Sequence, residues 1–241
     1  MAALASLLLL AGCSQTSPNS GGSANAPGSS SATSSADSVN SGSTPAADGV
    51  PSNAAYRNDG FAYGGFSKPG SQTFLVKVTG QSDSESVQTT TLKTHDEGSA
   101  TYERTRDGAL AAVGSDVVKV NAKGVLVISV SIGKLDKPSL ELPANLSPGV
   151  KWISSSTITT DTDKIKSSGT YTVIGDVPIK IAAGAFTARK IVFTGSTETS
   201  KGQGIAKGTY WFVKDLGAVK TEMTQTMQGQ AAQTFVLELK K

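Results

Sequence analysis

The chain has 241 residues, with 22 Lys and Arg against 19 Asp and Glu and a formal net charge of +3. Its basic residues form no block, which argues against a nucleic-acid-binding surface. It contains one Cys and one His, so it forms no internal disulfide and lacks the ligands of a zinc site. We therefore expect no nucleic-acid partner, no metal and no cofactor.

The chain begins with an apolar run, Leu4–Leu10. This run is far shorter than the about 20 residues that span a membrane, and it predicts a signal peptide over residues 1–12. The sequence LAGC at residues 10–13 resembles the lipobox of bacterial lipoproteins. The resemblance implies cleavage before Cys13 and attachment of lipid, such as palmitate, to that residue. Two or more acyl chains hold a protein stably on a membrane.

The residue after the lipidated Cys indicates the destination. Ser14 at this position resembles lipoproteins sorted to the outer membrane of two-membrane bacteria, on its periplasmic or surface side. In a single-membrane bacterium the same chain would lie on the outer face of the plasma membrane. Both locations in the cell envelope remain open.

Residues 13–54 are predicted to be the lipidated Cys followed by a disordered tether. Ser, Gly, Ala, Thr, Asn and Pro dominate, the only branched apolar residues are Val39 and Val50, and the only charges are Asp37 and Asp48. Such a segment cannot bury enough apolar surface to offset the entropy of ordering it. A flexible coil of this length separates its ends by roughly 35 Å.

Residues 55–241 have the size of one domain. They carry all 22 basic residues and 17 of the 19 acidic ones, because Asp37 and Asp48 lie in the tether, so their formal charge is 22 − 17 = +5. The signs alternate along the chain, as on a solvated surface. We expect a single antiparallel β domain that is monomeric.

The hydrophobic period is two along most of this domain. Apolar residues alternate with polar ones over residues 74–79, 219–227 and 235–240, which indicates strands with one buried face. Val125–Ile132 and Tyr210–Val213 are apolar on both faces, as in central strands or strands that line a closed interior. The sequence predicts an all-β fold: an antiparallel, strongly curved sheet, half-barrel or sandwich of about 10–11 strands with little helix.

Turn residues recur between these strands. They lie at residues 106–108, 121–124, 167–169, 174–176 and 215–217, and we interpret each group as a turn. Leu135–Pro148 contains three prolines and is predicted to be an extended connection across one end of the sheet.

Three motifs in the second half resemble those of uncharacterised bacterial lipoproteins. They are PGVKW at 148–152, AGAF at 183–186 with Lys190 and Ile191 after it, and YWFVKDLGAVK at 210–220. The resemblance covers about 95 residues, 147–241, and implies the same β domain without any catalytic residue to carry over. A more distant likeness, of architecture only, is to half-barrel lipoproteins that carry lipid.

Aromatic residues are the candidate ligand contacts. Tyr56, Tyr63 and Phe66 lie in a glycine-rich stretch, and Trp152 and Trp211 lie in the motifs. We name these five as a candidate ligand face. The alternative interpretation is that they build the core, with the glycine-rich stretch as an edge strand or a flap.

The sequence offers only weak candidates for catalytic or metal-binding residues. His95 lies in KTHDEG, which is typical of a strand end and an exposed turn, and no G-x-S-x-G elbow accompanies it. Asp161 and Asp163 are followed by Lys164 and Lys166, as at a solvated hairpin tip rather than in a calcium loop. We therefore expect a protein that is not an enzyme.

Three hypotheses of function follow. The first is a non-catalytic binding or assembly module that takes a lipid, a glycan or an envelope protein. The second is a structural protein of the cell envelope. The third is a hydrolase that uses paired carboxylates, which the sequence cannot locate. An internal cavity in the β domain would favour the first hypothesis.

Overall fold

The structure, a computed structural model, describes residues 54–240. Cys13, the predicted signal peptide and the predicted tether up to residue 53 lie outside the described residues. The described part is an all-β fold built on one antiparallel sheet, as the sequence predicts. Its helices are short: α1 (Asp59–Tyr63) and a 3₁₀ helix (Gly108–Val113).

Thirteen strands make up the sheet. In chain order they are β1 Gly70–Val78, β2 Ser84–His95, β3 Ser99–Arg106, β4 Asp116–Asn121, β5 Gly124–Val130, β6 Lys134–Leu135, β7 Ser139–Pro143, β8 Lys151–Thr159, β9 Lys164–Ile181, β10 Gly184–Thr199, β11 Gly202–Val213, β12 Gly217–Met227 and β13 Gln233–Leu239.

The sheet consists of two meanders joined through β13 and β1. Its order is β6-β8-β9-β10-β11-β12-β13-β1-β2-β3-β4-β5-β7, and β1 pairs antiparallel with β13 from Phe74↔Leu239 to Val78↔Phe235. The sheet is not closed. Its two ends nevertheless meet, because the buried hydroxyls of Ser139 on β7 and Ser154 on β8 lie 2.8 Å apart and share a hydrogen bond. This is the curved single sheet of the half-barrel prediction and not a sandwich.

The alternation of buried and half-buried residues along each strand shows which side chains face the interior. On β12, residues 219, 221, 223 and 225 are buried and the residues between them are half-buried. Within Tyr210–Val213, which is apolar on both faces, Tyr210 and Phe212 are buried whereas Trp211 and Val213 are half-buried. The inner faces of the strands therefore build the core, as expected for amphipathic strands in a curved sheet.

A row of aromatic rings crosses the inner face. Trp152 stacks on Tyr171 at 5.0 Å, Tyr171 on Phe193 at 5.6 Å, and Phe193 on Tyr210 at 5.0 Å between ring centroids. Gly208 makes room for this row, since a Cβ there would lie 2.7 Å from Cε1 of Phe193. The absence of a side chain on β11 thus lets the ring of the neighbouring strand lie flat.

Two predicted turns are wrong. Residues 167–169 and 174–176 both lie inside β9, an 18-residue strand. Gly169 lies beside a ring, because a Cβ there would be 3.1 Å from Cε2 of Tyr171. Gly175, with φ 136°, lies opposite Lys190, where the register shifts at a β-bulge. The other three predicted turns are found between strands or, at 106–108, between β3 and the 3₁₀ helix.

The strand count exceeds the predicted 10–11 because Leu135–Pro148 is only in part an extended connection. It contains the end of β6, which has two residues, and β7, which pairs with β5 from Gly124↔Pro143 to Val127↔Ser139. Pro143 is tolerated there because β7 is an edge strand, where a missing N–H need not break a ladder.

Candidate functional site

The interior of the curved sheet contains a cavity of about 70 Å³. Charged, polar and apolar side chains all line it. The charged and polar lining residues are Lys68, Gln72, Gln88, Thr90, Arg104, Arg106, Asp116, Glu141 and Thr221. The main apolar ones are Phe74, Val113, Val130, Leu142, Phe212 and Leu237.

The charged side chains face the interior because successive side chains of a strand point to opposite faces of the sheet. Arg104 and Arg106 stand two residues apart on β3, so both face inward. Asp116 opens β4 and pairs with Arg104 in the ladder. Glu141 lies on β7, which pairs with β5, and its side chain reaches Arg104 across the inner face of β4 and β5.

Arg104 is held by both carboxylates. Its Nη1 and Nη2 donate to the two oxygens of Glu141 at 2.9 and 2.7 Å, a bidentate pair. Its Nε donates to Asp116 Oδ2 at 3.1 Å, and Nη2 forms a further short hydrogen bond to the same carboxylate. Exposed fractions of these three side chains are 11%, 4% and 9%. A buried ion pair of this kind is retained only when its geometry is good, as here.

Arg106 has fewer partners. Its Nη1 lies 2.8 Å from Asp116 Oδ1 and donates to the carbonyl of Gly114 at 2.9 Å. Its Nε donates to Gln88 Oε1 at 3.0 Å. Arg106 therefore shares with Arg104 the one carboxylate that it contacts, and only 3% of its side chain is exposed.

The electrostatics of the cluster favour ionised carboxylates. Burial, the largest single contribution, opposes ionisation of Glu141, but the surrounding positive charges, led by Arg104, and the hydrogen bonds of Arg104 together hold the pKa of Glu141 well below its usual range. The pKa of Asp116 is lowered in the same way by Arg104 and Arg106 against its burial. Burial lowers the pKa of Arg106, and its neighbours do not restore it, whereas two carboxylates raise the pKa of Arg104 despite its burial.

Two tyrosines of the aromatic row have shifted pKa values. Burial raises the pKa of Tyr171 on β9, with a smaller contribution from the negative charge of Glu141. Burial also raises the pKa of Tyr210 on β11, with smaller contributions from Tyr171 and Glu141.

The segment between α1 and β1 borders the cavity. Ser67 Oγ donates to Asp215 Oδ1 at 2.5 Å, and Gln72 Nε2 donates to the carbonyl of Leu216 at 2.8 Å. Gly65, with φ 79°, passes the β11–β12 turn so closely that a Cβ would lie 3.0 Å from the oxygen of Leu216. These contacts hold the exposed Lys68 beside the cavity.

The structure places the five candidate ligand residues in different environments. Tyr56 and Phe66 are fully buried, and Phe66 contacts Tyr102 with ring centroids 4.7 Å apart. Trp152 is 8% exposed and belongs to the aromatic row. Tyr63 is half-buried under the guanidinium of Arg189, 4.9 Å from its ring centroid.

Trp211, the fifth candidate, lies on the outer face. The Nζ atoms of Lys190 and Lys220 lie 5.9 and 5.3 Å from the centroid of its ring system. The five residues therefore do not form one continuous face, and none of them lines the interior cavity.

The charged cluster was not predicted from the sequence. Arg104, Arg106 and Glu141 occupy inward positions of strands whose other inward positions are apolar or small. The available signal was a charged residue in phase with the apolar residues of such a segment. It is weak, because short strands shift their phase at bulges.

His95 and Asp163, the remaining candidates from the sequence, lie at a strand end and at a turn, as predicted. His95 ends β2 and is exposed. Asp163, at the β8–β9 turn, accepts from the backbone N–H groups of Lys164 and Ser200, which lower the pKa of its carboxyl. Within residues 54–240, no group of three or more His, Cys, Asp or Glu could hold a metal. In that same part of the chain, no helix has the length and hydropathy to cross a membrane.

Comparison with known proteins identifies the fold. No family model and no curated protein matches the sequence. The structure is similar to a "putative lipoprotein" from Parabacteroides distasonis, with 14% identity, a TM-score of 0.51, and coverage of 72% of this chain and 94% of the other. It is also similar to a "putative exported protein with YmcC-like fold" from Bacteroides fragilis, with 14% identity, a TM-score of 0.50, and coverage of 72% and 95%. At this identity the likeness concerns the fold alone.

Proposed function

We propose that this protein is a lipid-anchored, non-catalytic binding module of the bacterial cell envelope that takes its ligand in the interior cavity. The observation that carries the proposal is a cavity inside a curved sheet that is lined by both charged and apolar side chains. A few polar groups among apolar side chains are typical of ligand sites. The lipobox-like LAGC at residues 10–13 and structural neighbours described as lipoproteins or exported proteins support the location.

The charge state of the cavity supports a non-catalytic role. Hydrolysis by paired carboxylates needs one of them protonated as a general acid. Both carboxylates here are ion-paired with arginine, and the pKa of each lies below its usual value. Neither Asp116 nor Glu141 therefore carries a proton to donate at neutral pH.

The size of the cavity limits the ligand. Its volume of about 70 Å³ is well below the about 300–1,000 Å³ of pockets that enclose drug-sized molecules. A small amphipathic molecule, or one end of a longer lipid, fits this volume better than a glycan chain or a folded protein. The protein is thus proposed to hold a part of its ligand and not to enclose a complete acyl chain.

Native mass spectrometry of the full chain, solubilised from bacterial envelopes, tests the binding role. Val113→Phe adds volume to the cavity wall, whereas Val236→Phe adds the same volume at an outward position of β13. We expect a bound small molecule on the wild type and on Val236→Phe, and its loss from Val113→Phe. Equal ligand content in all three proteins, including none, would contradict the proposal and leave the structural envelope protein as the better hypothesis.

Lipid attachment is tested separately. In cells supplied with labelled palmitate, the wild type should incorporate label and fractionate with membranes. Cys13→Ser removes the only thiol of the chain and should abolish both. A label that persists in Cys13→Ser would exclude Cys13 as the anchor.

A further inference from the structure

We infer that the cavity binds an anionic oxygen group of an amphipathic ligand, with Arg106 as the principal contact and Lys68 as a second positive charge. This inference rests on the proposed binding function and adds the chemical class of the ligand. It is carried by the guanidinium of Arg106, which lines the cavity and whose Nη2 has no acceptor among the described residues.

The hydrogen bonds of Arg106 leave one edge unused. A guanidinium has five N–H donors in a fixed plane. In Arg106, Nε donates to Gln88 and Nη1 to Gly114, with Asp116 beside Nη1. The Nη2 atom donates no hydrogen bond to any of residues 54–240. The Nη2 atom is not one of the fully buried atoms that lack a partner, so a ligand in the cavity can reach it. A hydrogen bond from a charged donor to an oxygen acceptor is strong, so an oxygen acceptor in the cavity would be bound favourably.

Arg104, which also lines the cavity, has a more complete set of hydrogen-bond acceptors than Arg106. It contacts both carboxylates, including both oxygens of Glu141, and its pKa is raised. Arg106 contacts only the carboxylate that it shares, and its pKa is lowered by burial. The two arginines differ by about one missing negative charge, which a bound anion would supply.

The charge of the whole lining agrees with this assignment. The cavity is lined by three basic residues (Lys68, Arg104 and Arg106) and two acidic ones (Asp116 and Glu141), a net charge of 3 − 2 = +1. Lys68 is exposed, and its ammonium has no ion pair among the described residues. The lining therefore complements a singly charged anion that enters past Lys68.

Apolar lining residues supply the contact for the apolar part of the ligand. Phe74, Phe212 and Leu237 are each less than 10% exposed and line the cavity. Burying each methylene contributes about 0.8 kcal/mol. A ligand with an anionic head and a short hydrocarbon part is therefore favoured over phosphate or acetate alone.

Titration calorimetry with defined probes tests the inference on the full chain. The probes are hexanoate, hexyl phosphate and hexan-1-ol, which differ in the head group and carry hydrocarbon chains of similar length, five carbons in hexanoate and six in the other two. We expect either anion to bind at least tenfold more tightly than the alcohol. A preference between hexanoate and hexyl phosphate would distinguish a carboxylate from a phosphate ligand.

Variants assign the contact. Arg106→Gln should weaken the anion about tenfold and leave the alcohol unchanged, and Arg106→Lys should retain part of the binding because it keeps the charge. Lys68→Ala should weaken the anion several-fold, and since Lys68 is exposed, this variant tests the site without disturbing the core. Lys151→Ala removes an exposed lysine at the start of β8 and should change nothing.

The outcomes separate the two proposals. Equal binding of anion and alcohol, failure of any anion to bind, or unchanged anion binding in both Arg106→Gln and Lys68→Ala would overturn the anion site. The proposed binding function would survive that result if a neutral molecule were still lost from Val113→Phe in native mass spectrometry. If no molecule depends on the cavity in that assay, the binding function itself is wrong.

Discussion

At the scale of single residues, the buried ion cluster carries a large free-energy penalty of desolvation. Arg104, Asp116 and Glu141 are nearly inaccessible to solvent, and the bidentate pair and the ladder partner of Arg104 compensate for their desolvation. Such clusters add little net stability compared with apolar residues of the same size. Their removal one partner at a time is nevertheless severe, because it leaves an unpaired buried charge.

Glu141→Gln should therefore lower the free energy of unfolding by about 3–5 kcal/mol, the usual effect of removing one partner of a buried pair. Glu198→Gln is the matched control, since the Lys166–Glu198 pair spans 3.1 Å but both side chains are more than half exposed. An exposed pair contributes about 0–1 kcal/mol. Urea unfolding of both variants measures the difference, and equal small losses would contradict the role assigned to Glu141.

The same carboxylates predict sensitivity to acid. The pKa values of Asp116 and Glu141 are lower in the folded protein than in the unfolded chain, where they are about 3.9 and 4.3. The stability that they contribute is thus complete above these unfolded values and is lost as the pH falls towards the folded ones. We expect the free energy of unfolding to decrease below about pH 4. This decrease should be smaller in a double variant, Asp116→Asn with Glu141→Gln, whereas an identical slope in both proteins would refute the assignment.

At the scale of the elements, the strands depend on glycines that make room for rings. Gly208 on β11 lies opposite Phe193 in the ladder, and Gly169 lies beside Tyr171 two residues along β9. In both places a glycine that weakens a strand by itself is combined with an aromatic ring that covers it. The arrangement explains why glycine within β9 does not mark a turn.

Gly208→Ala tests this interpretation. The added Cβ would lie 2.7 Å from Phe193 Cε1 and would also meet the backbone oxygen of Glu222. Overpacking of this kind costs about 1–3 kcal/mol, measured as a lower melting temperature. Gly98→Ala is the control, because the nearest atom to its Cβ is 3.6 Å away. If both variants melt alike, the close packing at Gly208 is not what stabilises the row.

At the scale of the whole molecule, the important feature is the seam between β7 and β8. The strands are not paired in the ladder, yet Ser139 and Ser154 share a buried hydrogen bond across it. The seam brings β7, at one end of the 13-stranded sheet, against β8, next to the other end. An unsealed sheet of this length would expose two long edges, which natural proteins avoid.

A disulfide between Ser139→Cys and Ser154→Cys should form under mild oxidation, because the two side chains already touch. It closes a loop of about 15 residues and should stabilise the fold by up to about 3 kcal/mol. Ser155→Cys in place of Ser154→Cys is the control, since residue 155 is only half-buried and lies on the other face of β8. Thiol titration and the melting temperature report the outcome. Equal cross-linking of both pairs, or of neither, would refute the seam.

The local properties of this protein were predictable from its sequence. Alternation at residues 74–79, 219–227 and 235–240 depends only on neighbours along the chain, and it correctly predicts β1, β12 and β13. The all-β class follows from the same period. The turn at 215–217 was equally predictable, since Gly217 adopts a positive φ of 83° that other residues resist.

Only the tertiary structure decided where the site lies. Arg104 and Glu141 are 37 residues apart, and they meet because β4 and β5 lie between β3 and β7 in the curved sheet, an arrangement that no local pattern encodes. The sequence also does not show that Gly169 leaves room for the ring of Tyr171. Nor does it show that Tyr56 and Phe66 are buried in the core. Strand period is set by backbone geometry within a few residues, whereas a cavity is set by contacts between strands that are distant in the chain.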